Sequence, residues 1–179
     1  LVLDQIDYAQ QTITIKGQTY PLNDFVAPTI DPLDPCRLTS EEEGLLAHLL
    51  TNFQDSEKLS RHMDFMFEKG QMYLCYNQNL LFHGCIPLHE NGDFKSLRIE
   101  NQSYAGKELL DFYQEQVAIC YQNPKVYDDL ATDLMWYLWV GECSSLFGKK
   151  DMTTFERYYI LDKSSHLEEK NAYYELRNE

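Results

Sequence analysis

The sequence predicts an α+β protein, or part of a layered α/β fold. Short alternating apolar runs bounded by turn residues read as strands. Longer segments with apolar residues at helical spacing read as helices. These elements follow the order β, αα, ββ, β, α, α, α rather than a strict alternation, which places several small sheets beside segregated helices. At 179 residues the chain suits one domain or a large part of one. Its hydrophobic share of 44% and aromatic share of 13% are enough to bury a core, so it is no disordered tail. Residues 1–38 read as extended segments and loop, 39–70 as a helical pair, 71–100 as sheet, and 101–179 as mostly helical.

Taken in order, Thr12-Ile13-Thr14-Ile15 alternates, Lys16-Gly17-Gln18 turns, and Thr19-Tyr20 resumes the strand. Pro21, Pro28, Pro32 and Pro35 then interrupt any regular element, making 21–38 a loop. A capping box, Thr39 with Glu42 or Ser40 with Glu43, opens a helix. Leu45, Leu46, Leu49, Leu50 and Phe53 supply that helix's apolar stripe. Ser56 starts a second helix carrying Leu59, Met63, Met66 and Phe67, and Gly70 stops it. Strands at 71–76 and 80–83 flank the turn Asn77-Gln78-Asn79. Ile86-Pro87-Leu88 continues extended to a turn at Asn91-Gly92, and 94–99 is another strand. Beyond Gly106 a long helix carries Leu109, Leu110, Phe112, Tyr113, Val117 and Tyr121. The segment 128–140 is a very apolar helix with Trp136 and Trp139, and helical pieces near 152–160 and 165–177 end the chain. No internal repeat or low-complexity linker occurs.

Charge and cysteine usage exclude whole classes of function. A formal net charge of −14 repels phosphate backbones and anionic headgroups, so neither nucleic acid nor a membrane surface is a partner. No apolar run is long enough to span a bilayer. The start, LVLDQIDYAQ, lacks the basic and apolar regions of a signal peptide. It also lacks an initiator Met and opens inside a strand-like pattern, which predicts an internal piece of a longer protein. The five cysteines, Cys36, Cys75, Cys85, Cys120 and Cys143, are odd in number and contain no C-x-x-C, as expected of reduced thiols in a cytoplasmic protein. The sequon Asn101-Gln102-Ser103 then carries no glycan. P-loop, dinucleotide-binding and serine-hydrolase signatures are absent.

The string Leu80-Leu81-Phe82-His83-Gly84-Cys85-Ile86-Pro87 concentrates the chemistry. An apolar, buried strand is a rigid platform, and His83 at its end would point into the crevice above the sheet. Gly84 would leave room there for a metal or a phosphate. A lone His at a strand end is more often a hydrogen-bonded structural residue. None of His48, His62, His89 and His166 forms H-x-x-x-H or H-E-x-x-H, so no metal site is written locally. Cys85, two residues from His83, lacks an orienting carboxylate for nucleophilic catalysis.

Read with the rest of the chain, this string resembles the His-Gly segment of class III fructose-1,6-bisphosphatases, a bacterial type common in Firmicutes. Further likeness lies in Pro28-Thr29-Ile30-Asp31-Pro32 with Asp34-Pro35, in Tyr104-Ala105-Gly106-Lys107 with Leu109-Leu110-Asp111-Phe112, and in the two runs 139–149 and 150–158. The resemblance covers essentially all of 1–179. It implies part of a calcineurin-like metallophosphatase β-sandwich with a helical insertion. It also implies hydrolysis of the 1-phosphate of fructose 1,6-bisphosphate by a two-metal, manganese-dependent centre, in which paired metals activate water and clamp the phosphoryl oxygens. By that likeness His83 is a metal ligand, and Asp133-Leu134-Met135-Trp136 resembles the Asp-Leu-Leu-Trp of protein-phosphatase relatives. The family's Gly-Asp…Asp-Arg-Gly, Gly-Asn-His-Asp and later Gly-His-Thr motifs are missing from this sequence. The set of catalytic residues is therefore incomplete here, and these residues alone are expected to be inactive.

Lys149, Lys150 and Arg157 form the one concentrated basic patch and are candidates for the substrate's second phosphate; the plainer reading is a solvated loop. Asp128 and Asp129 fit a helix start, and Glu41-Glu42-Glu43 fits another. Trp136, Tyr137 and Trp139 read as core rather than as a platform for a sugar. Two other functions stay open: a non-catalytic interaction module packing on a partner, and a metallophosphatase of the same superfamily with another substrate. Assembly into a homo-oligomer is left open as well, because unpaired strand edges can template it.

Overall fold

The alternating run at Thr12–Ile15 forms the middle strand of a three-stranded antiparallel sheet in the computed structural model, which describes residues 2–176. Strand β2 (Thr12–Ile15) lies between β1 (Ile6–Asp7) and β3 (Gln18–Pro21). Ile13 is opposite Ile6 on one side and Tyr20 on the other, so all three share one face and bury it. Lys16 and Gly17 both take left-handed backbone angles, φ 49° and 81°, as a two-residue hairpin of this twist requires. This sheet belongs to a first unit made of residues through 62 together with 153–167. Ile160, just past helix α5 (Thr154–Tyr159), completes the small core, and Phe25 meets Tyr159 edge-on at 5.2 Å.

The same unit holds helix α1 (Ser40–Gln54) and the first turns of α2 (Glu57–Lys69). Of the alternative capping boxes, the chain forms Thr39 with Glu42. The Glu42 amide donates to Thr39 Oγ1 at 3.3 Å, and Thr39 N donates back to Glu42 Oε2 at 2.7 Å. The bond from Thr39 N, with others to the carboxylate from Thr29 Oγ1 at 2.7 Å and Thr39 Oγ1 at 2.9 Å, favours the ionised form and holds Glu42 below its usual range. The expected apolar stripe of α1 is present but uncovered: Leu45, Leu46, Leu49, Leu50 and Phe53 are all exposed, and no α1 residue is buried among the described residues. Periodicity specifies a helix and its face but not what lies against that face.

A second unit comprises residues 63–152 and those from 168 onward. It carries two separate hairpins, β4 (Tyr73–Tyr76) with β5 (Asn79–Phe82) and β6 (Ser96–Ile99) with β7 (Gln102–Ala105). Asn79 pairs with Tyr76, so the first turn is only Asn77-Gln78, both left-handed. Strand β7 lacks a strong sequence signal and is drawn in by its partner; Tyr104 then stacks on Phe112 with ring centroids 4.1 Å apart. Helix α3 (Gly106–Gln122) buries Leu109, Leu110, Phe112 and Tyr113 against Leu134 and Leu138 of α4 (Leu130–Val140). Asp129 caps α4, accepting from Thr132 N at 2.8 Å. The short helix α6 (Tyr173–Leu176) ends the described chain.

Two expectations are corrected here. Trp136 and Trp139 are 71% and 70% exposed, not core. Helix α4 is strongly apolar, but only the stripe Ala131, Leu134 and Leu138 is buried, leaving Trp136 and Trp139 open. Strand β5 is likewise not buried: Asn79, Leu80 and Leu81 are exposed, because its hairpin pairs with no third strand among the described residues.

Candidate functional site

Strand β5 delivers its chain directly into His83, as the apolar run requires. Among the described residues the imidazole makes no hydrogen bond or ion pair, and His83 is exposed. The usual explanation of a lone strand-end His, a satisfied structural role, therefore does not apply within these residues. A shallow cavity of about 300 Å³ lies beside it, lined by Lys69, Gln71, Leu74, Leu81 and Phe82. No carboxylate lines that cavity, and no three His, Cys, Asp or Glu side chains converge on a metal position anywhere among the described residues. One imidazole does not fit a complete two-metal centre.

Past His83 the chain dives. Gly84 packs so closely on the loop after α4 that a Cβ there would sit 2.6 Å from the Ser145 carbonyl oxygen and 2.9 Å from that of Leu146. Close packing, rather than access for a ligand, accounts for the glycine. Cys85 N donates to the Ser145 carbonyl at 3.0 Å, and its thiol approaches the Ser144 carbonyl at 3.7 Å. His83 and Cys85 do not share a strand face, because β5 ends at Phe82; one is exposed and the other fully buried. Burial, with a smaller contribution from Cys143, pushes the Cys85 thiol up to about 11. A thiol with so high a pKa stays protonated at mildly alkaline pH. Cys85 should therefore resist alkylation in the folded protein and react once it is denatured, as peptide mass mapping would show; rapid modification of the native state would disprove this.

The loop itself is pinned. Ser144 Oγ donates to the Leu138 carbonyl at 2.6 Å and accepts from Leu146 N and Phe147 N at 3.1 Å each. Tyr113, fully buried, donates its hydroxyl to the Cys143 carbonyl at 3.0 Å.

The candidate phosphate-binding residues fall in different places. Lys149 pairs with Glu168 at 2.6 Å and Lys150 with Glu169 at 3.0 Å, both in the second unit. Arg157 belongs to the first unit, where its Nε donates to Thr153 Oγ1 at 3.1 Å and its terminal nitrogen to the His166 carbonyl at 3.4 Å. Another group had no local sequence pattern to mark it. Lys95 is ion-paired with Glu142, while His89 and Lys150 lie near enough to act on the same carboxylate. Glu142 is held below the usual carboxylate range, chiefly by the hydrogen bond from Lys95.

Comparison with known proteins bears on the whole chain. The profile of the Firmicute fructose-1,6-bisphosphatase family matches residues 1–179. A protein of Lactococcus lactis subsp. cremoris named fructose-1,6-bisphosphatase class 3 is 62% identical over 178 residues, 99% of this chain and 28% of the relative. Proteins of the same name from Streptococcus agalactiae and Staphylococcus haemolyticus are 55% and 54% identical, over 99% and 100% of this chain and 28% and 27% of their own lengths. The chain thus spans a little over a quarter of the relatives it matches. No solved structure matches it. Among the described residues no helix is long and apolar enough to cross a membrane.

Proposed function

We infer the function of the whole protein from one premise: this chain belongs to the Firmicute fructose-1,6-bisphosphatase family. On this reading the whole protein hydrolyses the 1-phosphate of D-fructose 1,6-bisphosphate, giving fructose 6-phosphate for gluconeogenesis. The observation that carries it is the match along all 179 residues, with identities of 52–62% to proteins named for that activity. The fold proposed for the whole is calcineurin-like, with a manganese-dependent two-metal centre. His83 is proposed as one ligand of that centre, favoured by an imidazole without a competing partner among the described residues. The other ligands must come from outside these residues, which hold no converging donor set. Of the basic candidates Lys149, Lys150 and Arg157, Lys150 is the one proposed for the sugar bisphosphate's other phosphate, since Lys149 pairs with Glu168 and Arg157 belongs to the other unit. A cytoplasmic location accords with five free cysteines.

The uncovered faces accord with a longer protein. Leu45, Leu49 and Phe53 on α1, and Trp136 and Trp139 on α4, expose apolar surface that a stable protein buries against further polypeptide. The same surface also favours a second reading, an interaction module without catalysis.

The full-length protein should release phosphate from fructose 1,6-bisphosphate when manganese is supplied and lose that activity under chelation. Silence with this substrate and activity with another phosphate ester would leave the superfamily and overturn the substrate. Silence with every ester would favour the interaction module.

A further inference from the structure

We propose that His89, Lys95 and Lys150 form a binding site for a phosphate monoester. Its setting is a cavity of about 410 Å³, a size that admits a small phosphorylated molecule. The inference deepens the phosphate-binding role proposed for Lys150 and rests on that reading, but not on which ester is hydrolysed.

The walls are built rather than incidental. Residues 87–95 fold into a tight hairpin, with Lys95 N donating to the Pro87 carbonyl at 2.9 Å and His89 N to the Asp93 carbonyl at 2.8 Å. Across from it, residues 148–150 pair with 169–171: Lys150 N donates to the Glu169 carbonyl at 2.7 Å and Asn171 N to the Gly148 carbonyl at 3.1 Å. Asn171 joins the two walls by accepting the Leu88 amide at 3.1 Å. It is 1% exposed, and its Nδ2 has no acceptor among the described residues. Cations are thus fixed from two segments that Asn171 ties together.

The carboxylates at this cavity do not close it to an anion. Lys95 is 13% exposed while its partner Glu142 is 56% exposed; Lys150 is 32% exposed against 61% for Glu169. Glu90 also lines the cavity and acts on Lys150, but like Glu142 and Glu169 it is exposed, whereas the two lysines are the more buried members. A solvent-exposed carboxylate swings away at little cost, whereas a nearly buried ammonium must keep an anion. Lys95, Lys150 and His89 all act on the one carboxylate of Glu142, and a dianion would draw the same three groups with more charge. Lys149 shows the opposite asymmetry, 40% exposed against 16% for Glu168, and does not line the cavity.

Acylation of lysines in the full-length protein, read residue by residue by mass spectrometry, tests this without reference to activity. Inorganic phosphate should slow modification of Lys150 and leave Lys149 unchanged. Glu142→Gln, which removes the competing charge, should lower the phosphate concentration for half-protection by about fivefold. Lys95→Gln should raise it by a similar factor. Opposite signs from two neighbouring neutralisations would not follow from a structural role. Unprotected Lys150, or a Glu142→Gln protein needing as much phosphate as the wild type, overturns the proposal, whatever ester the enzyme hydrolyses. The KM for fructose 1,6-bisphosphate then identifies the source of the ligand. A raised KM at constant kcat in Lys95→Gln assigns the site to the substrate's non-reacting phosphate, and an unchanged KM with altered protection assigns it to a separate phosphorylated molecule.

Discussion

His83→Ala in the full-length protein is expected to lower manganese-dependent phosphate release by about 100-fold or more, since even partners outside a metal's own ligands cost up to roughly that much. Its thermal midpoint should stay close to that of the wild type. Both halves of the expectation come from the same observations. His83 is exposed and, among the described residues, holds no hydrogen bond, so shortening it to Ala removes no packing and orphans no partner. A residue with no structural interaction to lose can matter only through what it binds. Activity assays and differential scanning fluorimetry on the two proteins decide the matter. Equal activity would remove His83 from the metal site while leaving the enzyme's identity untouched.

The outcome bears on how far local pattern carries. The β2–β3 hairpin was legible from Thr-Ile alternation and Lys16-Gly17, and the α1 start from its capping box, because those signals are completed within a few residues. The stop of α2 at Gly70 was legible for the same reason: a Cβ there would lie 2.4 Å from the Met66 carbonyl oxygen. Burial was less legible. The Leu stripe of α1 and the Trp face of α4 have the composition of core, yet burial depends on what packs across from them, which no periodicity records. Strand β7 needed its partner for the same reason. At the candidate site His83 and Gly84 were found, but the reason for Gly84 was not, since it lies some sixty residues away in the loop after α4. The Lys95, His89 and Lys150 group was not legible because its members come from two segments far apart in sequence, brought together by tertiary bonds such as those of Asn171. The basic string at 149–150, conversely, is split by its neighbours: one lysine lines a cavity and the other does not.

Gly84→Ala should behave differently from its neighbour's substitution, losing stability as well as activity. The added methyl would meet two backbone oxygens, at 2.6 Å and 2.9 Å, and backbone does not rotate away as a side-chain tip does. Nor is the opposing loop free to retreat. Ser144 ties it to the end of α4, Tyr113 holds the Cys143 carbonyl from the core, and the Cys85 amide bonds to the very carbonyl that the methyl would strike. Relief must come from moving residues 83–85, which breaks the Cys85 bond and shifts His83 from the end of β5. Overpacking of this kind costs about 1–3 kcal/mol, and a ligand displaced by even about 1 Å loses much of its catalytic contribution. Chemical denaturation of Gly84→Ala should therefore show a lowered midpoint with an unchanged slope, alongside reduced phosphate release. A normal midpoint with reduced activity would instead mean that the glycine serves the ligand directly, which is the role the string His83-Gly84 has when read without the loop that packs on it.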